Sequence, residues 1–135
     1  MKFEEFNPSI CIASKIQKSN RILNNIFRKH LKVLDLSNSQ VSILFVLSKK
    51  KCTTQKELAD FLFLEKSTIN RNIERLIKHD FIERTDLNQI AITFTGIDKV
   101  LHIVPHWQEA MREAEEKLGN EGLSSLNTLL KTLIN

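Results

Sequence analysis

Residues 53–84, TTQKELADFLFLEKSTINRNIERLIKHDFIER, read as two short helices across a tight turn, running on into a strand. Thr54-Gln55-Lys56-Glu57 has the form of a capping box, in which the Thr54 hydroxyl accepts from the amide three residues on and Glu57 reaches back. Leu58, Phe61 and Leu62 then fall on one helical face, and Ala59 is small enough to let a second helix approach closely. Phe63-Leu64-Glu65 interrupts the pattern. Beyond it Ile69, Ile73, Leu76 and Ile77 recur at helical spacing and predict a buried side for the second helix. Its other side carries Lys66, Ser67, Thr68, Asn70, Arg71 and Arg75, groups of the kind that contact phosphates and base edges in a major groove. A plain solvated face commonly carries Glu/Lys pairs four residues apart instead. The stretch therefore points to DNA.

Upstream, Asn7-Pro8 is a helix start signal: Asn caps, and Pro suits the first helical position. Ile12, Ile16, Leu23, Ile26, Phe27, Leu31 and Leu34 follow at spacings of mostly three and four or their sums, which predicts an amphipathic helix from Pro8 to Val33. Ser37-Asn38-Ser39-Gln40 is a second capping box, opening a helix with Val41, Leu44, Phe45 and Leu47 inward; Lys49-Lys50-Lys51 closes it, where cations suit the negative helix end. Downstream, Phe81-Ile82 lead into Glu83-Arg84-Thr85, and Ile90, Ile92 and Phe94 alternate with Ala91, Thr93 and Thr95. That is the pattern of two strands joined by a turn at Asp86-Leu87-Asn88-Gln89. Thr95 then reads as the cap of a helix from Gly96 to Leu118 with a kink at Pro105, and Gly119-Asn120-Glu121-Gly122 as the break before a last helix bearing Leu123, Leu126, Leu130 and Leu133. The fold class is mainly α with a small two- or three-stranded β wing: a winged helix-turn-helix core flanked by N- and C-terminal helices.

A chain of 135 residues has room for one compact domain. It divides here into a winged lobe at 36–95 and helical segments at 7–34 and 96–134. A lobe of that size cannot bury every apolar stripe the terminal segments carry, so a homodimer built on them is expected. Net charge is +4, distributed as +4 over residues 1–48, +3 over 49–84 and −3 over 85–135. Cations thus gather near the proposed recognition element, as an electrostatic footprint on DNA requires. No apolar run approaches the ~18 residues of a membrane span, and MKFEEFNPSI is too acidic and polar for a secretory signal. Two isolated cysteines, Cys11 and Cys52, make no disulfide framework, so a reducing cytoplasm is the simpler expectation. Nothing resembles a Gly-rich phosphate loop, a Ser/His/Asp ordering or a close carboxylate pair; neither catalysis nor a cofactor is expected.

In order and spacing these motifs resemble the MarR family of bacterial transcriptional regulators. The resemblance covers nearly the whole chain and is carried by Leu36-Ser37-Asn38-Ser39-Gln40-Val41-Ser42-Ile43-Leu44, Thr54-Gln55-Lys56-Glu57-Leu58-Ala59, Ser67-Thr68-Ile69-Asn70-Arg71 and Leu76 to Arg84, with a further likeness around Val104-Pro105-His106-Trp107. It implies a homodimeric repressor on a palindromic double-stranded operator, with recognition helices in successive major grooves about 34 Å apart. By matching position, Lys66, Ser67, Thr68, Asn70 and Arg71 would face bases and phosphates, Arg75 the backbone, and Thr54 and Gln55 would offer amides to a phosphate. The family's wing carries an Asp followed two positions later by an Arg for the minor groove. Asp86-Leu87-Asn88 has no such Arg, which leaves Arg84, Asn88 and Gln89 as the wing's contacts. Phe63 stands where the family often has Gly, and Glu65 where Ser or Asp usually caps the recognition helix.

Three sharper sites each have a plainer reading beside them. His102 and His106 lie four apart, as in zinc-responsive relatives, with Glu109 and Glu113 on the same stripe and His30 or Asp35 as conceivable partners; the wet face of an amphipathic helix accounts for them as well. Cys11 resembles the oxidised cysteine of peroxide-sensing relatives, but those sites lean on tyrosines and this chain has none, so a buried structural thiol is expected. The resemblance also implies a small-molecule effector pocket between the dimerisation helices and the DNA-binding lobe, with Ile16, Phe45, Trp107 and Met111 as its candidate lining; plain core packing accounts for the same residues. The alternative to DNA binding is a winged helix that docks a protein.

Overall fold

Ser37 and Gln40 set the first fixed point of the architecture. In the computed structural model, which describes residues 1–135, the Gln40 amide donates to Ser37 Oγ at 3.2 Å and the Ser37 amide donates to Gln40 Oε1 at 3.0 Å, so this capping box forms in full. It opens helix α2 (Asn38–Lys50), which buries Val41, Ile43, Leu44 and Leu47. Strand β1 (Cys52–Thr53), helix α3 (Gln55–Leu62) and helix α4 (Lys66–Lys78) follow, then β2 (Ile82–Arg84) and β3 (Ile90–Ile92). The three strands form an antiparallel sheet in the order β1-β3-β2, with Ile82 opposite Ile92, Arg84 opposite Ile90 and Thr53 on the far side of Ile90. Helix α1 (Ile12–Leu31) precedes this lobe and helix α5 (Phe94–Ile134) follows it, and the two pack against each other. Leu31 from α1 and Ile103 from α5 enter the same core as Ile43, Leu44, Leu58, Ile69, Ile73, Leu76, Ile82 and Ile90. Burying a branched or leucyl side chain contributes about 1.5–3 kcal/mol, so this one core holds the lobe and both long helices together.

Several local expectations are corrected. The Pro8–Val33 helix is shorter than its periodicity. Asn7 does cap, accepting from the Ser9 amide at 3.1 Å, but it opens only a 3-10 turn, Pro8–Ile10, and the extended Cys11 breaks the chain before α1 begins. At the other end Lys32–Leu34 tightens into a 3-10 turn closed by left-handed Asp35. Cys11 is exposed in the single chain instead of buried, because that break carries it off the core. In the Thr54 box only half the reciprocity exists: the Glu57 amide donates to Thr54 Oγ1, while the Glu57 carboxylate takes the Thr53 hydroxyl at 3.1 Å. Phe61 is exposed, since Leu58, Ala59 and Leu62 make a narrower stripe and Phe61 falls beyond its edge, under the Lys50 ammonium at 5.2 Å.

The last helix departs most. It is capped by Thr93, not Thr95, with the Gly96 amide donating to Thr93 Oγ1 at 3.0 Å. The Thr93 hydroxyl itself donates to the Asp80 carbonyl at 2.6 Å, and the Thr93 amide donates to Phe81 O. These bonds end β3 at Ile92 and leave Phe94 exposed in the first helical turn. Backbone angles stay helical through Pro105 and leave the helix only at Gly119 (φ 67, ψ 179), so the break expected at 119–122 shrinks to a single residue in a region only glycine occupies readily.

Candidate nucleic-acid interface

Helix α4 is amphipathic in the way its sequence requires. Ile69, Asn72, Ile73 and Leu76 are buried, whereas Lys66, Ser67, Asn70, Arg71 and Arg75 stand exposed on the opposite side. Thr68 is half-buried at the boundary. Glu65 makes no side-chain cap bond, so the first amides of α4 have no side-chain acceptor and its positive end is open. Helix α3 delivers Gln55 to the same face, its Nε2 donating to Asn70 Oδ1 at 3.4 Å. Thr54 is engaged as the α3 cap. The turn between the helices is a Schellman motif: the Leu64 amide donates to Ala59 O at 3.1 Å, and Phe63 sits at φ 54 with its ring exposed.

The wing positions its residues differently from one another. Arg84 is ion-paired to Glu74 of α4, which ties β2 to the recognition helix and occupies the guanidinium. Asn88 is exposed at the tip in a left-handed conformation, Leu87 beside it is exposed, and Gln89 is half-buried. The tip is closed by Thr85, whose amide donates to Gln89 O at 2.8 Å and whose hydroxyl accepts from the Gln89 amide.

One cluster was missed by sequence reading. A cleft of about 500 Å³ lies where the end of α4 meets the end of α1 and the start of α2, lined by Arg28, Lys32, Asp35, Leu36, Ser37, Gln40, Arg75 and His79. Arg28 and Lys32 were legible only as polar positions of a long helix; the tight turn at Lys32–Leu34 is what brings them beside α4.

The other candidate residues are dispersed. Phe45 and Trp107 meet edge-to-face at 5.5 Å and line a cavity of about 220 Å³ with Asn24, Phe27, Asn38 and Ser42. Ile16 and Met111 are not among its lining. His102 turns Nδ1 to the Asp98 carbonyl at 2.8 Å, and no group of three His, Cys, Asp or Glu side chains forms around it or His106. His30 Nε2 lies instead 3.7 Å from Glu113, which also accepts from Lys29 at 2.5 Å.

A model of the MarR family matches residues 36–103, just over half of the 135. The chain belongs to the MarR family. Members of that family are transcription regulators, not enzymes, and this MarR-family chain has their winged-helix fold. YwoH of Bacillus subtilis, an uncharacterised HTH-type transcriptional regulator, is 29% identical over 102 residues, or 76% of this chain and 68% of its own. Among solved structures, a cysteine-to-serine mutant of E. coli MarR complexed with operator DNA superposes with a TM-score of 0.82 at 21% identity, covering 96% of this chain and 98% of that one. BpsR of Bordetella bronchiseptica, whose DNA binding is regulated by 6-hydroxynicotinic acid, gives 0.84 at 16% identity over 95% and 97%. No helix of the chain is long and apolar enough to cross a membrane.

Proposed function

We propose that this chain is a cytoplasmic homodimer that binds a palindromic operator in duplex DNA and represses transcription until a small molecule releases it. The observation that carries the reading is α4, with Ile69, Ile73 and Leu76 locked in the core and Lys66, Ser67, Asn70, Arg71 and Arg75 turned outward together. A helix so anchored presents its donors rigidly to a groove, which direct readout of base edges requires. Thr68, Thr54, Gln55, Asn88 and Gln89 would add contacts around that face, and Arg84 would have to leave Glu74 to join them.

The division into a DNA-binding lobe at 36–95 and dimerisation segments at 7–34 and 96–134 is supported by where apolar surface is left over. Ile12, Ile16 and Ile22 on α1 and Leu126, Leu130, Leu133 and Ile134 at the end of α5 stand exposed in the single chain. A second copy buries such a patch at lowest cost, since patches of that kind mark interfaces. For the effector, the cavity beside Phe45 and Trp107 suits a small planar ring: Phe27, Phe45 and Trp107 supply aromatic contact, and Ser42 and the linked Asn24 and Asn38 amides supply polar partners. Lying between α1, α2 and α5, a ligand there would alter the spacing of the recognition helices, and a dimer fits only one spacing on DNA.

Selection of bound fragments from random duplex DNA, at two salt concentrations, tests the reading. An inverted repeat with half-sites one turn apart, bound steeply less tightly as salt rises, is the expected outcome. Failure to enrich any sequence even at low salt would remove the DNA-binding reading and leave a winged helix that docks a protein.

A further inference from the structure

We propose that the cleft between α1, α2 and α4 is a second phosphate seat, which grips the DNA backbone outside the half-site read by α4. The proposal rests on the DNA-binding reading above and goes beyond it by placing residues of the first helix in the interface. Arg28 from the last turn of α1 and Lys32 from the 3-10 turn that follows it converge there with Arg75 from the end of α4, against a single carboxylate, Asp35. None of the three cations is paired. Every ion pair of a Lys or Arg in the chain involves Lys29, Arg84 or Arg112 instead.

The neutral groups of the cleft are donors as well. Ser37 Oγ already accepts from the Gln40 amide, and Gln40 Oε1 from the Ser37 amide. What remains to each is a hydroxyl proton and an Nε2 amide. Three unneutralised cations and two free donors facing one acid call for an oxyanion. A backbone phosphate fits better than an aromatic acid, because Leu36 is the only apolar side chain in the lining and its one ring, the His79 imidazole, is already stacked on Phe81. Arg75 also lies one helical turn beyond Arg71, so the cleft continues the phosphate-facing edge of α4. It thereby supplies, from α1 and the turn that follows it, the cations that the wing lacks after Asp86.

The test is binding of the full chain to the duplex recovered by selection, measured by fluorescence anisotropy over a salt series. A phosphate contact contributes about 0.9 to the slope of log K against log salt. Arg28→Gln with Lys32→Gln removes two cations per protomer, so the slope of a dimer should fall by about 2–4 while the preferred half-site stays the same. Lys32→Gln alone should give about half of that change. Trimming the base pairs outside the inverted repeat should lower the wild-type slope and leave that of the double variant unchanged. Lys15→Gln with Lys18→Gln removes the same charge earlier on α1 and should move the slope by less than about 1. An unchanged slope in the Arg28/Lys32 variant, with Arg71→Ala still weakening binding, overturns the phosphate seat and leaves the regulator reading intact. An equal fall in the Lys15/Lys18 variant overturns it too, as diffuse charge would then suffice. A wild-type chain that recovers no duplex at all brings down both readings together.

Discussion

Gly96 is the position where one methyl group should do most damage. It lies in the first turn of α5, where that helix leaves the winged lobe, and it is buried against the corner between α4 and β2. A Cβ placed there would stand 2.0 Å from the Phe81 carbonyl oxygen and 2.7 Å from Ile92 Cγ1. Reaching an ordinary contact of 3.4 Å from that oxygen needs a shift of about 1.4 Å, the difference of the two distances. The obstacle is backbone, so no rotamer change relieves it. Phe81 O is also the acceptor for the Thr93 amide, so moving it loosens the cap that starts α5. Overpacking of this kind costs about 3 kcal/mol at the upper end of its usual range, against about 1 kcal/mol gained from alanine's better helix propensity. Gly96→Ala should therefore destabilise by about 2 kcal/mol, which corresponds to roughly 8 °C in Tm for a chain of this size. Urea unfolding and thermal melts at one fixed protein concentration measure it, since dimerisation would make stability concentration-dependent. An unchanged or raised midpoint would show that α5 is not seated on the Phe81 carbonyl as described.

Phe63→Gly should act in the opposite sense. The residue holds φ 54 with its ring 76% exposed, so glycine relieves about 1–2 kcal/mol of left-handed strain, gives back about 0.5–1 kcal/mol as chain entropy, and loses little burial; a lower urea midpoint would contradict this. Arg71→Ala should weaken operator binding by about 1–3 kcal/mol without changing the sedimentation coefficient of the free protein, and undiminished affinity would remove Arg71 from the interface. Glu113 is held below its ordinary carboxylate pKa first by the hydrogen bond from Lys29, then by the charges of Lys29 and His30, against partial desolvation. Its folded pKa being the lower one, the stabilisation is present above the unfolded value near 4.5 and is lost as pH falls through the carboxylate range. Melting temperatures of wild type and Glu113→Gln should converge as the pH drops from about 7 to about 3; a gap that stays constant would mean the Lys29–Glu113 link between α1 and α5 does not act through charge.

What could be read from the chain alone was whatever depends on neighbours three or four residues away. The Ser37–Gln40 box and the buried Ile69–Ile73–Leu76 side of α4 with its cationic opposite face are of this kind. Helix spacing and side-chain-to-backbone bonds are local, and the residue types state them directly. The tertiary structure decided the rest. Thr93 won the α5 cap over Thr95 because Asp80 and Phe81, more than ten residues back, hold its hydroxyl and amide. Glu74 claimed Arg84, and Cys11 was left exposed, through contacts and breaks that no spacing announces. The cleft of Arg28, Lys32 and Arg75 joins residues nearly fifty apart in the chain. Charge convergence of that kind exists only once three helices have packed, because periodicity says which face of a helix is wet and not which neighbour shares its water.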